Sequence, residues 1–223
     1  EILVPAGSDG VAVDAPIAER VQALEGLTIA TSPAGSVGNA SLRDTLSLYG
    51  LDPDRDVTIV PLDGPGIINA LRRGQIDAGW WTPGNLQFNY ADGTAVQLIN
   101  LAAGDVPEMA QVMSGVIIAP ASEVEEHPER YERVQAGLAD AHRLIAEDPE
   151  TAFGALKDVF YPEMEQEIFD ATWATLVGAF VPEARITPEM LAGSLALQTK
   201  TTGENYEAVE FELAIAPMAR AQS

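Results

Sequence analysis

Leu27-Thr28-Ile29-Ala30-Thr31-Ser32-Pro33-Ala34-Gly35-Ser36 opens as a short β-rich run and breaks into a glycine-containing turn. Leu42, Leu46 and Tyr49 then recur at helical spacing until Gly50 closes the segment, which makes one β-α unit. The pattern repeats downstream. Val57-Thr58-Ile59-Val60-Pro61-Leu62 predicts a strand, Asp63-Gly64-Pro65-Gly66 a turn, and Ile67-Ile68-Asn69-Ala70-Leu71 a short helix ended by Gly74. Ile76-Asp77-Ala78-Gly79-Trp80-Trp81 predicts a third strand. Strands alternating with helices at such short intervals imply a parallel sheet covered on both faces, with right-handed crossovers.

Working outward, residues 82–93 are expected to form a polar loop or short helix, and residues 96–101 and 112–119 two further strands. Beyond Pro120 the pattern changes. Residues 128–146, 149–160, 162–180 and 188–198 predict four helices, each opening near a proline with an acidic residue in its first turn, where both suit the helix dipole. An α/β part is therefore followed by a helical part of about a hundred residues, with no repeat, low-complexity tract or flexible linker between them.

At 223 residues the chain can hold one large core or two small lobes. Twelve basic against thirty-four acidic residues leave a formal net charge of −22, which repels nucleic acid and anionic membrane faces at long range. Only Lys157 and Lys200 are lysines, a composition that fits a high-GC genome and a salt-adapted surface alike. The absence of cysteine excludes disulfides, thiolate metal sites and cysteine nucleophiles. No run approaches the ~18 apolar residues of a membrane span, so no direct membrane insertion is expected. A start at Glu1 without methionine predicts that a signal peptide, a longer N-terminal segment or both have been removed.

Residues able to carry covalent chemistry are scarce. His127 precedes a predicted helix and His142 lies within it; neither has a nucleophile or a histidine partner at i+4, so solvated or capping roles are expected. Ser32 is not in a Gly-x-Ser-x-Gly elbow, and the acidic runs at 123–126 and 163–167 lack the pattern of a calcium loop. No catalytic residue, metal site or cofactor is expected.

The turns after the strands carry the binding chemistry instead. Ser36, Val37, Gly38 and Asn39 lead into a helix N-terminus, where free N–H groups and a positive dipole end suit an anionic or hydrogen-bond-accepting group; Ser36 as a plain N-cap fits equally well. Gly64 and Gly66 repeat the arrangement after the next strand, and in an open α/β sheet the carboxyl ends of strands share one ligand-bearing edge. Trp80 and Trp81 point to opposite faces, which leaves Trp81, followed by Thr82, as the ligand wall or as core packing. Arg72 and Arg73 occupy the last helical turn, where cations favour the dipole. With no cation at the edge, a neutral or singly charged small molecule fits better than a phosphate. A cationic or aromatic ligand also stays open, through stacking on indole.

Several segments together resemble a known family: Leu24-Glu25-Gly26-Leu27-Thr28-Ile29-Ala30, the Gly35-Ser36 turn, Tyr49-Gly50-Leu51-Asp52-Pro53-Asp54-Arg55-Asp56-Val57, Ala70-Leu71-Arg72-Arg73-Gly74-Gln75-Ile76-Asp77-Ala78 and Trp81-Thr82-Pro83. Glu126-His127-Pro128-Glu129-Arg130-Tyr131, Glu147-Asp148-Pro149-Glu150 and Ile186-Thr187-Pro188-Glu189-Met190-Leu191 continue the likeness. They are similar to periplasmic substrate-binding proteins of the nitrate, sulfonate, taurine and thiamine-precursor (NMT1/THI5-like) type. The resemblance implies an α/β, periplasmic-binding-protein-like (type II) fold, its parallel sheet covered by helices and followed by a C-terminal helical region. It implies residues 1–26 as a crossing segment and first-lobe remnant, 27–111 as the second α/β lobe, and 112–223 as a return strand and helices packing on the first lobe.

By the same resemblance, an extracytoplasmic monomer, periplasmic or anchored at the cell surface, captures a small anionic or neutral polar organic molecule and docks on an ABC transporter permease. Residues Ser36 to Asn39 and Trp81-Thr82-Pro83 match positions that contact ligand. The chain departs in one respect: such proteins open with a βαβαβ portion, whereas only 26 residues precede Leu27 here. Two alternatives share the fold. One is the effector domain of two-lobe transcription regulators; the other is a pyrimidine-synthesising enzyme that depends on a cysteine- and histidine-bearing segment.

Overall fold

A computed structural model describes residues 1–6, 12–82, 86, 89 and 92–221. Most of the expected loop between Thr82 and Gly93, including Pro83 of the resemblance, lies outside the described residues. Five strands form one sheet: β1 (Ile2–Pro5), β2 (Thr28–Thr31), β3 (Thr58–Pro61), β4 (Ala78–Trp80) and β5 (Ala95–Ile99), in the order β3-β2-β4-β1-β5. The two β-α units behave as expected: β2 pairs in parallel with β3, Ile29 opposite Ile59, and with β4, Ala30 opposite Gly79. The sheet is not wholly parallel. β1 runs antiparallel to both β4 and β5, Leu3 opposite Gly79 and Val4 opposite Val96. β3 is an edge strand, which tolerates Pro61 with its missing N–H.

Helices α1 (Ile17–Gln22) and α2 (Val37–Leu48) cover one face. Val21, Leu24, Leu42 and Leu46 pack there on Ile2, Ile29, Trp80 and Leu98. Helix α3 (Gly64–Arg72) covers the other, with Ile67 and Leu71 against Leu3 and Ala30. Gly79 permits that close approach: a Cβ there would lie 2.4 Å from Ile67 Cγ2. Arg20 Nη1 ties α1 to the sheet through Leu98 O and Asp105, both at 2.8 Å.

The helical part contains α4 (Ala121–Glu126), α5 (Pro128–Glu147), α6 (Pro149–Phe160), α7 (Gln166–Leu176), α8 (Pro188–Thr202) and α9 (Phe211–Ala214). Proline stands first in α5, α6 and α8, as its fixed φ and absent N–H favour. The helix expected from residue 162 starts only at Gln166, since Met164 N closes a turn on Tyr161 O at 3.0 Å. Residues 112–119, expected as a strand, run as irregular chain: Met113 N goes to the Ser194 hydroxyl, not to a sheet neighbour, and β propensity without a pairing partner makes no strand. Helix α8 reaches back to the α/β part through buried Leu197 and the ion pair of Lys200 with Asp44 at 2.7 Å. Large apolar residues remain exposed in this half, among them Ile118 (86%), Leu213 (82%), Ile117 and Phe160.

Candidate solute-binding turn at the carboxyl edge of the sheet

Because β2, β3 and β4 are parallel, their carboxyl ends and following turns share one edge. Leu62 N donates to Thr31 O at 2.9 Å across that edge, and the main chains of Trp81 and Glu1 exchange two bonds at 2.9 and 3.1 Å. The turns after β2 and β3 arrive there, as do Trp81 and Thr82 after β4; what each presents differs.

The first turn is the best formed. Gly35 takes φ +87°, a left-handed conformation that favours glycine, and brings the chain round to Ser36, the N-cap of α2. Ser36 Oγ accepts from Asn39 N at 3.2 Å and donates to Pro33 O at 2.7 Å. Its single proton is thereby committed, so the 2.6 Å contact with Ser32 Oγ has Ser32 as donor. Ser36 therefore caps the helix rather than offering its proton outward. Asn39 is likewise internal: 5% exposed, it donates from Nδ2 to Ser32 O at 3.2 Å and accepts at Oδ1 from Arg43 Nε at 3.1 Å.

The donors left are the N–H groups of Val37 and Gly38, which have no acceptor inside the helix and none among the described residues. A third polar group lies beneath them. Thr31, at the end of β2, is fully buried, and its hydroxyl has no hydrogen-bond partner. The position a Cβ would take on Gly38 is 3.8 Å from Thr31 Oγ1 and 2.6 Å from Ser32 Oγ, so glycine is what lets the Ser32 hydroxyl lie against the first turn of α2. Thr31 was not singled out by sequence; a hydroxyl on the last residue of a strand entering a β-α turn was the signal available. Two amides, one unpaired buried hydroxyl and the positive end of a twelve-residue helix suit one oxyanion or polar carbonyl group.

The second turn is closed. Asp63 caps α3 by accepting from Gly66 N at 2.8 Å, Pro65 has no N–H, and only Gly64 N stays without a helical acceptor. The Asp63 carboxylate already occupies the dipole end that an anion would seek.

The two tryptophans separate as alternation requires. Trp80, 2% exposed, lies on the α2 face and donates from Nε1 to Ser41 Oγ at 3.2 Å, while Ser41 donates to Gly38 O at 3.0 Å. Half-buried Trp81 packs instead with the cluster of Leu3, Ile67 and Leu71, the α3 face, and Thr82 beyond it is exposed. The edge thus holds the expected residues that are described, with Trp81, like Gly64 and Gly66 of α3, on the opposite face from the α2 turn. Arg72 ends α3 and pairs with Asp92 at 2.5 Å. His142 packs edge-on against Phe180, centroids 5.4 Å apart, with Nδ1 on Val181 O at 2.6 Å, and His127 opens α5 without a side-chain cap bond. Among the described residues no group of three or more histidine or acidic side chains could hold a metal ion, and no helix is long and apolar enough to cross a membrane.

Three of the solved structures that this chain resembles are sulfonate binders by name. The chain is 23% identical to the alkanesulfonate-binding protein SsuA from Xanthomonas axonopodis pv. citri bound to MOPS, with TM-score 0.63 over 87% of this chain and 61% of that one. Against the periplasmic aliphatic sulphonate-binding protein SsuA from Escherichia coli the values are 17%, 0.67, 89% and 58%. A putative sulfonate ABC transporter, periplasmic sulfonate-binding protein SsuA from Methylobacillus flagellatus KT gives 13%, 0.60, 90% and 58%. The chain spans about three fifths of the length of these proteins. At such identities the likeness establishes the fold, which is periplasmic-binding-protein-like. No curated protein matches significantly in sequence. The NMT1/THI5-like family model does match, over residues 11–152, well over half the chain and including the whole α2 turn, and the chain belongs to that family.

Proposed function

We propose that this protein is the extracytoplasmic solute-binding component of an ABC importer, capturing a small organic molecule through a singly charged or neutral polar head group. One observation carries the proposal: the amides of Val37 and Gly38 stand unclaimed above the unpaired, buried Thr31 hydroxyl at the carboxyl edge of the sheet. Such a turn gains selectivity by leaving polar groups unsatisfied when the wrong solute binds. It offers nothing that forms or breaks a covalent bond, which favours a binder over an enzyme. The sulfonate-binding neighbours make a sulfonate the first head group to try, while Trp81, with Thr82 beyond it, lies on the α3 face and can meet only a part of the solute that reaches across the strand ends.

In this proposal residues 27–111 together with β1 and α1 are one lobe, and residues 112–223 pack on a second lobe. The apolar side chains of Ile117, Ile118, Phe160 and Leu213, exposed here, support such a packing partner. Closure of two lobes over the solute would present the surface read by a membrane permease. Calorimetric titration of the protein with MOPS, ethanesulfonate, taurine, nitrate and a pyrimidine tests it. Saturable binding of at least one, weakened in Thr31→Val, is expected. No binding across the panel, or binding indifferent to Thr31→Val, refutes it.

A further inference from the structure

Asn39 is a buried amide whose orientation is dictated on both sides. Ser32 O accepts only, so the NH2 group must face it, and Arg43 Nε donates only, so the carbonyl oxygen must face that. Arg43 is itself held by Asp54, to which Nη1 donates at 2.8 Å. A chain of contacts therefore runs Asp54, Arg43, Asn39, Ser32, Ser36, beginning on the loop after α2 and ending at the N-cap. Its last members are the two hydroxyls and the carbonyl that shape the turn beside Val37 and Gly38. The Arg43 end opens on a groove of about 710 Å³ lined by Gly35, Asn39, Arg43, Asp54, Leu197 and Lys200.

We infer that Arg43 and Asn39 are positioning residues of the solute site: Arg43 satisfies and orients the Asn39 amide, and Asn39 in turn pins the Ser32 carbonyl so that the turn is pre-formed when solute arrives. This rests on the α2 turn being the solute site. Arg43 reaches that turn only through Asn39. Without Arg43 the buried Asn39 oxygen loses its donor, and the amide is free to rotate and release Ser32. Lysine replaces arginine poorly here, since one ammonium on a flexible stem cannot reproduce the fork that serves Asn39 and Asp54 together.

The test compares Arg43→Met, Arg43→Lys, Asn39→Leu and the double variant Arg43→Met/Asn39→Leu with a control, Lys200→Met, which breaks the other ion pair on α2 and touches no member of the chain. Two readouts are taken: hydrogen exchange of the Asn39 and Ala40 amides, which bond to Ser36, and affinity for MOPS by calorimetry. Arg43→Met is expected to speed exchange at both amides about tenfold and to weaken MOPS about tenfold. Arg43→Lys should fall between it and wild type, Lys200→Met should match wild type, and the double variant should be no worse than Asn39→Leu alone. Wild-type exchange in Arg43→Met, equal effects of Arg43→Met and Lys200→Met, or additive losses in the double variant would overturn the inference. Faster exchange in a protein that binds no member of the solute panel leaves the positioning chain standing and removes the solute function instead.

Discussion

Gly38→Ala measures the geometry of the α2 turn without needing a solute. The added methyl would lie 2.6 Å from Ser32 Oγ, too close to be tolerated, but 3.8 Å from both Ser32 Cβ and Thr31 Oγ1, which is ordinary contact. The hydroxyl must therefore swing away, and its 2.6 Å bond to Ser36 is lost. That bond contributes about 1 kcal/mol. Against it, alanine gains about 0.5–1 kcal/mol over glycine inside a helix. The two nearly cancel, so Gly38→Ala alone should leave stability close to wild type. In a Ser32→Ala background the obstructing oxygen is already gone and only the helical gain remains. The coupling between the two sites is then about 1 kcal/mol, or roughly 2–4 °C in Tm for a chain of this size. Calorimetric unfolding of wild type, both single variants and the double variant closes the cycle. Equal Tm shifts from Gly38→Ala in the two backgrounds would refute the close approach of Ser32 to the first turn of α2. The same methyl covers the Thr31 hydroxyl, so MOPS affinity should drop in Gly38→Ala and stay low in the double variant although the latter is the more stable protein.

Three further outcomes follow from the packing. Gly79→Ala drives a methyl to 2.4 Å from Ile67 Cγ2 and 3.3 Å from Leu71 Cδ1 and should destabilise by about 1–3 kcal/mol in denaturant unfolding; truncating Ile67 to alanine should then cost less than it does in wild type, and additivity would contradict the contact. Trp80→Phe removes the buried bond to Ser41 and leaves a small void, for an expected loss of about 1–3 kcal/mol by urea titration; a neutral result would show that the indole N–H is not engaged under α2. Hydrogen bonds from the Thr151 hydroxyl and amide hold the Asp148 carboxyl below the usual carboxylate range. Its folded pKa being depressed, the stability it contributes is present above about pH 4 and lost as pH falls through the lower folded value. Asp148→Ala should accordingly lower Tm at pH 7 more than at pH 2, and a pH-independent difference would contradict a charged cap.

The sheet edge was legible in the sequence because strand, turn and helix signals are local. A β-rich run, a glycine able to take φ +87° and a hydroxyl placed to cap are properties of ten neighbouring residues, and Ser36 and Asp63 cap the helices that the pattern placed after them. The proline starts of α5, α6 and α8 followed for the same reason. Partnership across the chain was not legible. Whether Ser36, Asn39 and Gly66 offer their donors to a solute or spend them inside the protein depends on Pro33, Ser32 and Asp63, each of them near in sequence but brought to the right distance only by the folded turn. The hydroxyl of Thr31 became visible only as a buried group left without a partner.

Chain chemistry dictated short β-α units in series and acidic, cysteine-free surfaces, since periodicity and composition act through each residue's own conformational and solvation preferences. Only the assembled sheet decided that β1 inserts antiparallel between β4 and β5, that residues 112–119 stay unpaired, and that the two tryptophans serve opposite faces. Those outcomes turn on which distant segment supplies the hydrogen-bond partner or the apolar neighbour, and that choice is made by the balance of all such pairings at once.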